Sequence, residues 1–79
     1  MNITVQYFAM LREQAGIGQE TVTTDATSPQ VLYKELADKH GFTLDGDILK
    51  VALNSEFSSM SDPLKDGDTI VFIPPVAGG

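Results

Sequence analysis

Residues 74–79 of this 79-residue chain read Pro-Pro-Val-Ala-Gly-Gly, and the sequence stops there. Pro74 and Pro75 keep a segment extended and direct it away from a packed domain. Gly78 and Gly79 lack a Cβ, so their backbone passes a channel too narrow for any other residue. A carboxylate on Gly79 is a poor electrophile as it stands. Joined to AMP by an enzyme that consumes ATP, it becomes an acyl-adenylate that a sulfur or nitrogen nucleophile can attack. The chain has no cysteine, so a transferable sulfur would travel at its C-terminus, as a thiocarboxylate. The competing reading is an inert, frayed end.

Other chemistry is scarce. Without cysteine there is no thiol nucleophile, no disulfide and no cysteine metal site. The one histidine, His40, lies where a helix ends and reads as a structural or solvent-facing residue; a serine–histidine–aspartate triad would depend on it alone. Leu44-Asp45-Gly46-Asp47 and Lys65-Asp66-Gly67-Asp68 faintly resemble calcium loops. They lack the alternating ligands and the spaced terminal glutamate of such loops, and read as turns. Gly16-Ile17-Gly18 lacks the third glycine and the strand-to-helix setting of a dinucleotide fingerprint. No metal site is expected.

The elements that must position the tail form one small domain. Residues 2–8 alternate, with Ile3, Val5 and Tyr7 on one face and Thr4, Gln6 and Phe8 on the other. Residues 9–18 read as a short helical turn ending at Gly16 or Gly18. Residues 19–24 form a second strand, with Val22 its clear core position. The best helix spans 29–40. Thr27 or Ser28 caps it, Pro29 suits its first turn, Lys39 and His40 favour its C-terminal end, and Gly41 stops it. Its apolar stripe reads as Val31, Leu32 and Leu36 with Tyr33 and His40, leaving Lys34, Glu35, Asp38 and Lys39 to water. Residues 48–54 form a third strand, 55–68 a loop with a turn at 66–68, and 69–73 a short apolar strand suited to the middle of a sheet. Proline cannot continue that strand. The division is therefore a domain over 1–73 and a flexible tail over 74–79. The fold class is α+β: a mixed four- to five-stranded sheet with one main helix on one face, first and last strands paired at the centre, in the pattern of a ubiquitin-like β-grasp.

One helix covers one sheet face and leaves the other open. Because Ile3 and Val5 should face the helix, Phe8 should be exposed. In the last strand Ile70 and Phe72 share one face, Val71 and Ile73 the other; both pairs are apolar. Phe57 and Met60 add apolar surface in the 55–68 segment. These residues either form a contact patch for a partner or pack as a second small core under that segment. The formal net charge of −6 argues against nucleic acid and anionic membranes and favours a basic protein partner. No signal peptide or membrane span is visible, so a cytoplasmic protein is expected.

Three segments carry a family resemblance that runs along essentially the whole chain: Val5-Gln6-Tyr7-Phe8-Ala9-Met10-Leu11-Arg12-Glu13, Ala52-Leu53-Asn54, and residues 63–79, with their Asp-Gly-Asp turn, apolar strand, Pro-Pro-Val and Gly-Gly. They resemble the small, sulfur-carrying subunits of molybdopterin synthase, a ubiquitin-like family. The resemblance implies a carrier for molybdenum cofactor biosynthesis. Gly79 would be adenylated with ATP by an activating enzyme, converted to the thiocarboxylate, and would deliver sulfur to cyclic pyranopterin monophosphate in the large synthase subunit. Val76, Ala77 and Gly78 would enter that subunit, and Phe8, Phe57, Met60, Val71, Ile73, Pro74 and Pro75 would contact it. Phe8, Phe57 and Ile73 match the family's hydrophobic contact positions, which selects Ile73 over Phe72 as outward-facing. The implied assembly holds two small and two large subunits; the chain binds no cofactor of its own and is not catalytic alone. A sulfur carrier for thiamine synthesis, a ubiquitin-like protein modifier and a plain binding module are the alternatives.

Overall fold

The computed structural model describes residues 1–75. Its elements run β1 (Asn2–Tyr7), α1 (Ala9–Ala15), β2 (Gln19–Thr23), α2 (Pro29–His40), a 3-10 turn (Gly46–Ile48), β3 (Lys50–Leu53), β4 (Glu56–Ser58) and β5 (Thr69–Ile73). The five strands form one mixed sheet in the order β2-β1-β5-β3-β4. β1 and β5 pair in parallel at its centre, with Tyr7 opposite Phe72, and every other pair is antiparallel. A sheet with its main helix on one face and the first and last strands in the middle is the β-grasp arrangement.

The core follows from the alternation of the two central strands. Ile3, Val5 and Tyr7 of β1 and Ile70 and Phe72 of β5 are buried, and Val51 of β3 joins them. Leu32, Tyr33 and Leu36 of α2 and Leu11 of α1 close the layer from the other side. Tyr33 is buried with its hydroxyl satisfied, donating to the Leu44 carbonyl at 2.9 Å, while its ring lies 5.3 Å from that of Phe72. Burial, aided by Asp45, raises its ionisation above the usual range.

Local sequence explains the helix ends. The Ser28 side chain accepts from the Val31 N–H, Pro29 sits at the start, and Gly41 stops α2 at a φ of 73°; only a residue free of Cβ strain adopts that conformation readily. The expected stripe needs one change. Val31 is 45% exposed, whereas Pro29 is buried with Leu32, Tyr33 and Leu36. Positions 29, 32, 33, 36 and 40 follow the i, i+3, i+4, i+7 rule, and Val31 falls a helical step outside that arc.

Two strand expectations also change. Residue 48 still belongs to a 3-10 turn, Gly46–Ile48, whose Asp47 N–H donates to the Asp45 side chain at 3.0 Å, so β3 starts only at Lys50. The 55–68 segment contains a strand, β4, joined to β3 by a two-residue turn with Asn54 at φ 51° and Ser55 at φ 73°. Both residues of a type I′ turn take positive φ, and asparagine tolerates it best. The Asn54 side chain also accepts from the Thr69 N–H and donates to Asp68, both at 3.0 Å, tying the hairpin to the start of β5.

Candidate functional site

β1 and β5 are parallel, so both end at the same edge of the sheet. Their register sets Tyr7 beside Phe72, and the next residues, Phe8 and Ile73, emerge side by side. Phe8 is extended and caps α1, and the chain turns sharply after it at Ala9, whose φ is 50°. Phe8 and Met10 are left 51% and 44% exposed. With Ala9, Leu44, Ile73, Pro74 and Pro75 they line an open groove of about 520 Å³. The lining is almost wholly apolar, and its last members are the first residues of the 74–79 segment. The groove thus begins where β5 delivers the chain out of the sheet.

The apolar surface continues across the face that α2 leaves uncovered. Phe57, Ala52, Val71 and Gln6 are successive register partners from β4 to β1, and facing residues of paired strands share a sheet face. Ile73 lies opposite Lys50 on that same face. Val71 and Ile73 are half-buried there, while Phe72 points into the core. Phe57 stands out at 84% exposure. Exposed aromatic and aliphatic side chains in a continuous stripe mark a surface that a partner can desolvate.

Met60 lies elsewhere. It is partly buried against the core, and its carbonyl accepts from the Gln30 N–H at 2.9 Å, at the start of α2. Leu64, buried, follows the same route. The 55–68 segment therefore divides: Met60 and Leu64 extend the main core on the helix side, and Phe57 faces solvent on the open side. Pro74 is half-buried and Pro75 exposed. Val76, Ala77, Gly78 and Gly79 lie outside the described residues.

Met10 and Leu44 line the groove without having been singled out from sequence. In the seven-residue α1 only Leu11 is buried, so its neighbour Met10 must turn off the core face; that much was available from spacing. Leu44 sits in an irregular stretch where no periodicity speaks.

A second cluster lies between β2 and the end of α2, on the helix-facing side. Glu20 Oε2 accepts from the Tyr7 hydroxyl at 2.5 Å and pairs with His40 Nε2 at 2.5 Å, and Oε1 meets Lys39 Nζ at 2.6 Å. The His40 ring packs edge-on against Tyr7, with centroids 5.6 Å apart. Burial is the largest single influence on Glu20 and opposes its charge. The hydrogen bonds from Lys39, Tyr7 and His40 together outweigh it and lower the carboxyl from 4.5 to about 2. Burial first, then the hydrogen bond to this carboxylate and its charge, raises the Tyr7 phenol well above its usual range. Among the described residues no buried side-chain nitrogen or oxygen lacks a hydrogen-bond partner, and the Glu20 carboxylate is held by three groups, so the cluster is a structural clasp. Among the described residues no group of histidine and acidic side chains is arranged to hold a metal ion.

The sign of the pH effect follows. A carboxyl depressed on folding stabilises the fold fully above its unfolded value of 4.5 and loses that contribution as pH falls toward about 2. The shift corresponds to at most about 3 kcal/mol. Glu20→Gln is expected to lower urea stability at neutral pH by about 2 kcal/mol and to flatten the stability profile between pH 5 and 2. Denaturation curves at several pH values, wild type against variant, check it; parallel profiles would show that other acids govern that range.

The sequence matches the model of the ThiS family over residues 5–79. The molybdopterin synthase sulfur carrier subunit of Escherichia coli (strain K12) is 35% identical over 80 residues, a match covering 98% of this chain and 99% of that one. Among solved structures, a chain of the protein–protein complex of subunits 1 and 2 of molybdopterin-converting factor from Helicobacter pylori 26695 superposes with a TM-score of 0.67 at 30% identity, with both chains fully covered. The small archaeal modifier protein 1 of H. volcanii superposes with a TM-score of 0.78 at 26% identity, over 95% of this chain and 98% of that one. No helix among the described residues is long and apolar enough to cross a membrane. A match over nearly the whole chain, on a β-grasp scaffold whose last central strand leads into Pro-Pro-Val-Ala-Gly-Gly, places this chain in the ThiS family.

Proposed function

We propose that this chain is the sulfur carrier of a molybdopterin synthase, the small subunit of a two-component enzyme. The observation that carries this reading is the exit of β5 at Ile73, beside Phe8, onto an apolar groove, a few residues upstream of Gly78-Gly79. An activating enzyme joins the Gly79 carboxylate to AMP, releasing pyrophosphate from ATP. A sulfur donor then displaces AMP and leaves a thiocarboxylate. The carrier presents that sulfur to cyclic pyranopterin monophosphate within the large subunit. Val76, Ala77 and Gly78 are the segment that enters it. Phe8, Val71, Ile73, Pro74, Pro75 and Phe57 are the surface that holds the carrier in place. Met60, turned toward the core, contributes to the fold rather than to that surface. ATP serves the activating step and is not held by this chain.

The complex of two converting-factor subunits from H. pylori supports the large-subunit partner. Incubation with ATP, a candidate activating enzyme and a sulfide donor is expected to raise the intact mass by the difference between sulfur and oxygen. Unchanged mass with every activating enzyme tried would refute carriage. Phe8→Ala is expected to weaken binding of the large subunit about 30-fold, because losing a central aromatic anchor costs about 2 kcal/mol. Titration calorimetry measures it, and the thermal midpoint should barely move, since half of Phe8 is already in water.

A second reading, as a protein modifier, is favoured by the similarity to small archaeal modifier protein 1 of H. volcanii. It uses the same activated glycine but ends in an isopeptide bond to lysine. Covalent adducts on other proteins, resistant to thiols, would separate it from carriage.

A further inference from the structure

The chain has 11 acidic residues and a net charge of −6, yet no acid stands at an open-face position of any strand. Of the strand residues only Glu20, Lys50 and Glu56 are charged. Glu20 is the register partner of buried Val5, and Glu56 that of Leu53, which in turn faces Ile70. Both glutamates therefore lie on the helix side. Lys50, opposite Ile73, is the one charged strand residue on the open face.

That face has two halves. On the β2–β1 side opposed residues answer one another. The Thr23 hydroxyl donates to Asn2 at 2.9 Å, Gln6 donates to Gln19 at 3.2 Å, and the Thr4 and Thr21 hydroxyls meet at 3.4 Å. This half is polar, neutral and suited to water. The β5–β3–β4 side is apolar instead, with Val71, Ile73, Ala52 and Phe57 around Lys50. Directly opposed residues of paired strands have their Cβ atoms about 5 Å apart, so a surface that covers Ile73 also reaches Lys50. Lys50 is exposed, and among the described residues the ion pairs are those of Lys39 and His40 with Glu20. Its ammonium is therefore available to a partner.

An ammonium taken out of water without an opposite charge costs more than the neighbouring apolar contacts return. The surface that covers Val71 and Ile73 must then be apolar against them and place a carboxylate against Lys50. A second copy of this chain cannot do so through the same face, because no strand residue there is acidic. A polyanion is disfavoured by the charge of −6 on the rest of the chain.

We propose that the large subunit docks on the β5–β3–β4 half of the open face, with an aspartate or glutamate of its own paired to Lys50 beside Ile73. This rests on the carrier reading, which supplies the partner; the charge pattern adds the chemistry of that partner's contact surface. The acidity of the whole chain favours a basic partner, but at this surface the complement is acidic.

Calorimetry and binding kinetics of the full-length chain with the large subunit test it. Lys50→Met and Lys50→Glu are expected to weaken binding about 30-fold or more, mainly through faster dissociation, with Lys50→Glu the weaker. Lys50→Arg keeps the charge and should restore most of the affinity. Added salt should weaken the wild type more than Lys50→Met. Lys50 is exposed, so the thermal midpoints should stay close to that of the wild type. If the wild type binds and Phe8→Ala weakens binding while Lys50→Glu leaves it unchanged, the carrier reading stands and the lysine contact is overturned. Tighter binding by Lys50→Met would show an apolar surface opposite the lysine and equally overturn it. A wild-type chain that fails to bind the large subunit would overturn the carrier reading itself, and this inference with it.

Discussion

Deletion of Gly79 is expected to abolish ATP-dependent sulfur loading while leaving the fold intact. β5 ends at Ile73, six residues before Gly79, and among the described residues every buried core side chain lies at or before Phe72. The shortened chain still ends in a glycine carboxylate, that of Gly78, so its intrinsic chemistry is unchanged. What changes is reach. One residue of extended chain spans about 3.5 Å, and misplacing a reacting atom by even 1 Å can cost about a hundredfold in rate. The loaded fraction by intact mass should therefore fall at least a hundredfold at matched times, with an unchanged thermal midpoint. Gly79→Ala keeps the length and adds only a Cβ; it separates reach from channel width. Sulfur gain by the truncated chain at the normal rate would place the reactive group elsewhere and sink the carrier mechanism. Loss of loading together with loss of the melting transition would instead mean that the tail supports the fold.

The second large effect concerns the scaffold. Phe72→Ala is expected to destabilise the domain by about 3–5 kcal/mol, the usual range for removing a buried phenylalanine. Phe72 is fully buried. It sits between Tyr7 of β1 and Val51 of β3 in the sheet and beneath Tyr33 of α2. No neighbour on a central strand can collapse into the space without breaking the ladder. A domain of this size has a total stability of about 4–12 kcal/mol, so the variant should be largely unfolded at modest urea concentrations. The adjacent Ile73, half-buried on the open face, supplies the contrast: Ile73→Ala should cost roughly 1 kcal/mol in stability and register mainly as weaker binding to the large subunit. Urea titration of both variants checks the alternation. Equal destabilisation at the two positions would show that the open face is packed rather than free.

Several features were legible in the sequence because they depend on neighbours along the chain. The alternation of Ile3, Val5 and Tyr7 marked β1 and its buried face. Ser28, Pro29 and Gly41 bounded α2 to the residue, since caps act within one turn. The continuous run Thr69–Ile73 marked a strand at the centre of the sheet, and Pro74 marked its end; the expectation of cover on both faces fails, since Val71 and Ile73 are only half-buried on the open one. The absence of cysteine and the Gly78-Gly79 terminus narrowed the chemistry before any fold was known, because those are properties of residue type alone.

Tertiary structure decided what depends on residues distant in sequence. Val71, Ile73, Ile70 and Phe72 are all apolar, so local pattern could not say which pair faces outward; the position of α2 settled it. β4 has three residues with no alternation to read, and it exists because Asn54 and Ser55 turn the chain back onto β3. Met60 and Phe57 look alike in sequence, yet one joins the core and the other meets solvent, because residues 60–64 dock on the start of α2. Nothing along the chain singled out Glu20, and only the end of α2 brings Lys39 and His40 to it. The groove could not be read at all: it exists because β1 and β5, at opposite ends of the chain, run parallel and in register, so Phe8 and Ile73 leave the sheet together. Short-range sterics and hydrogen bonding assign elements, whereas burial and pairing between remote segments assign faces, and the candidate site is a matter of faces.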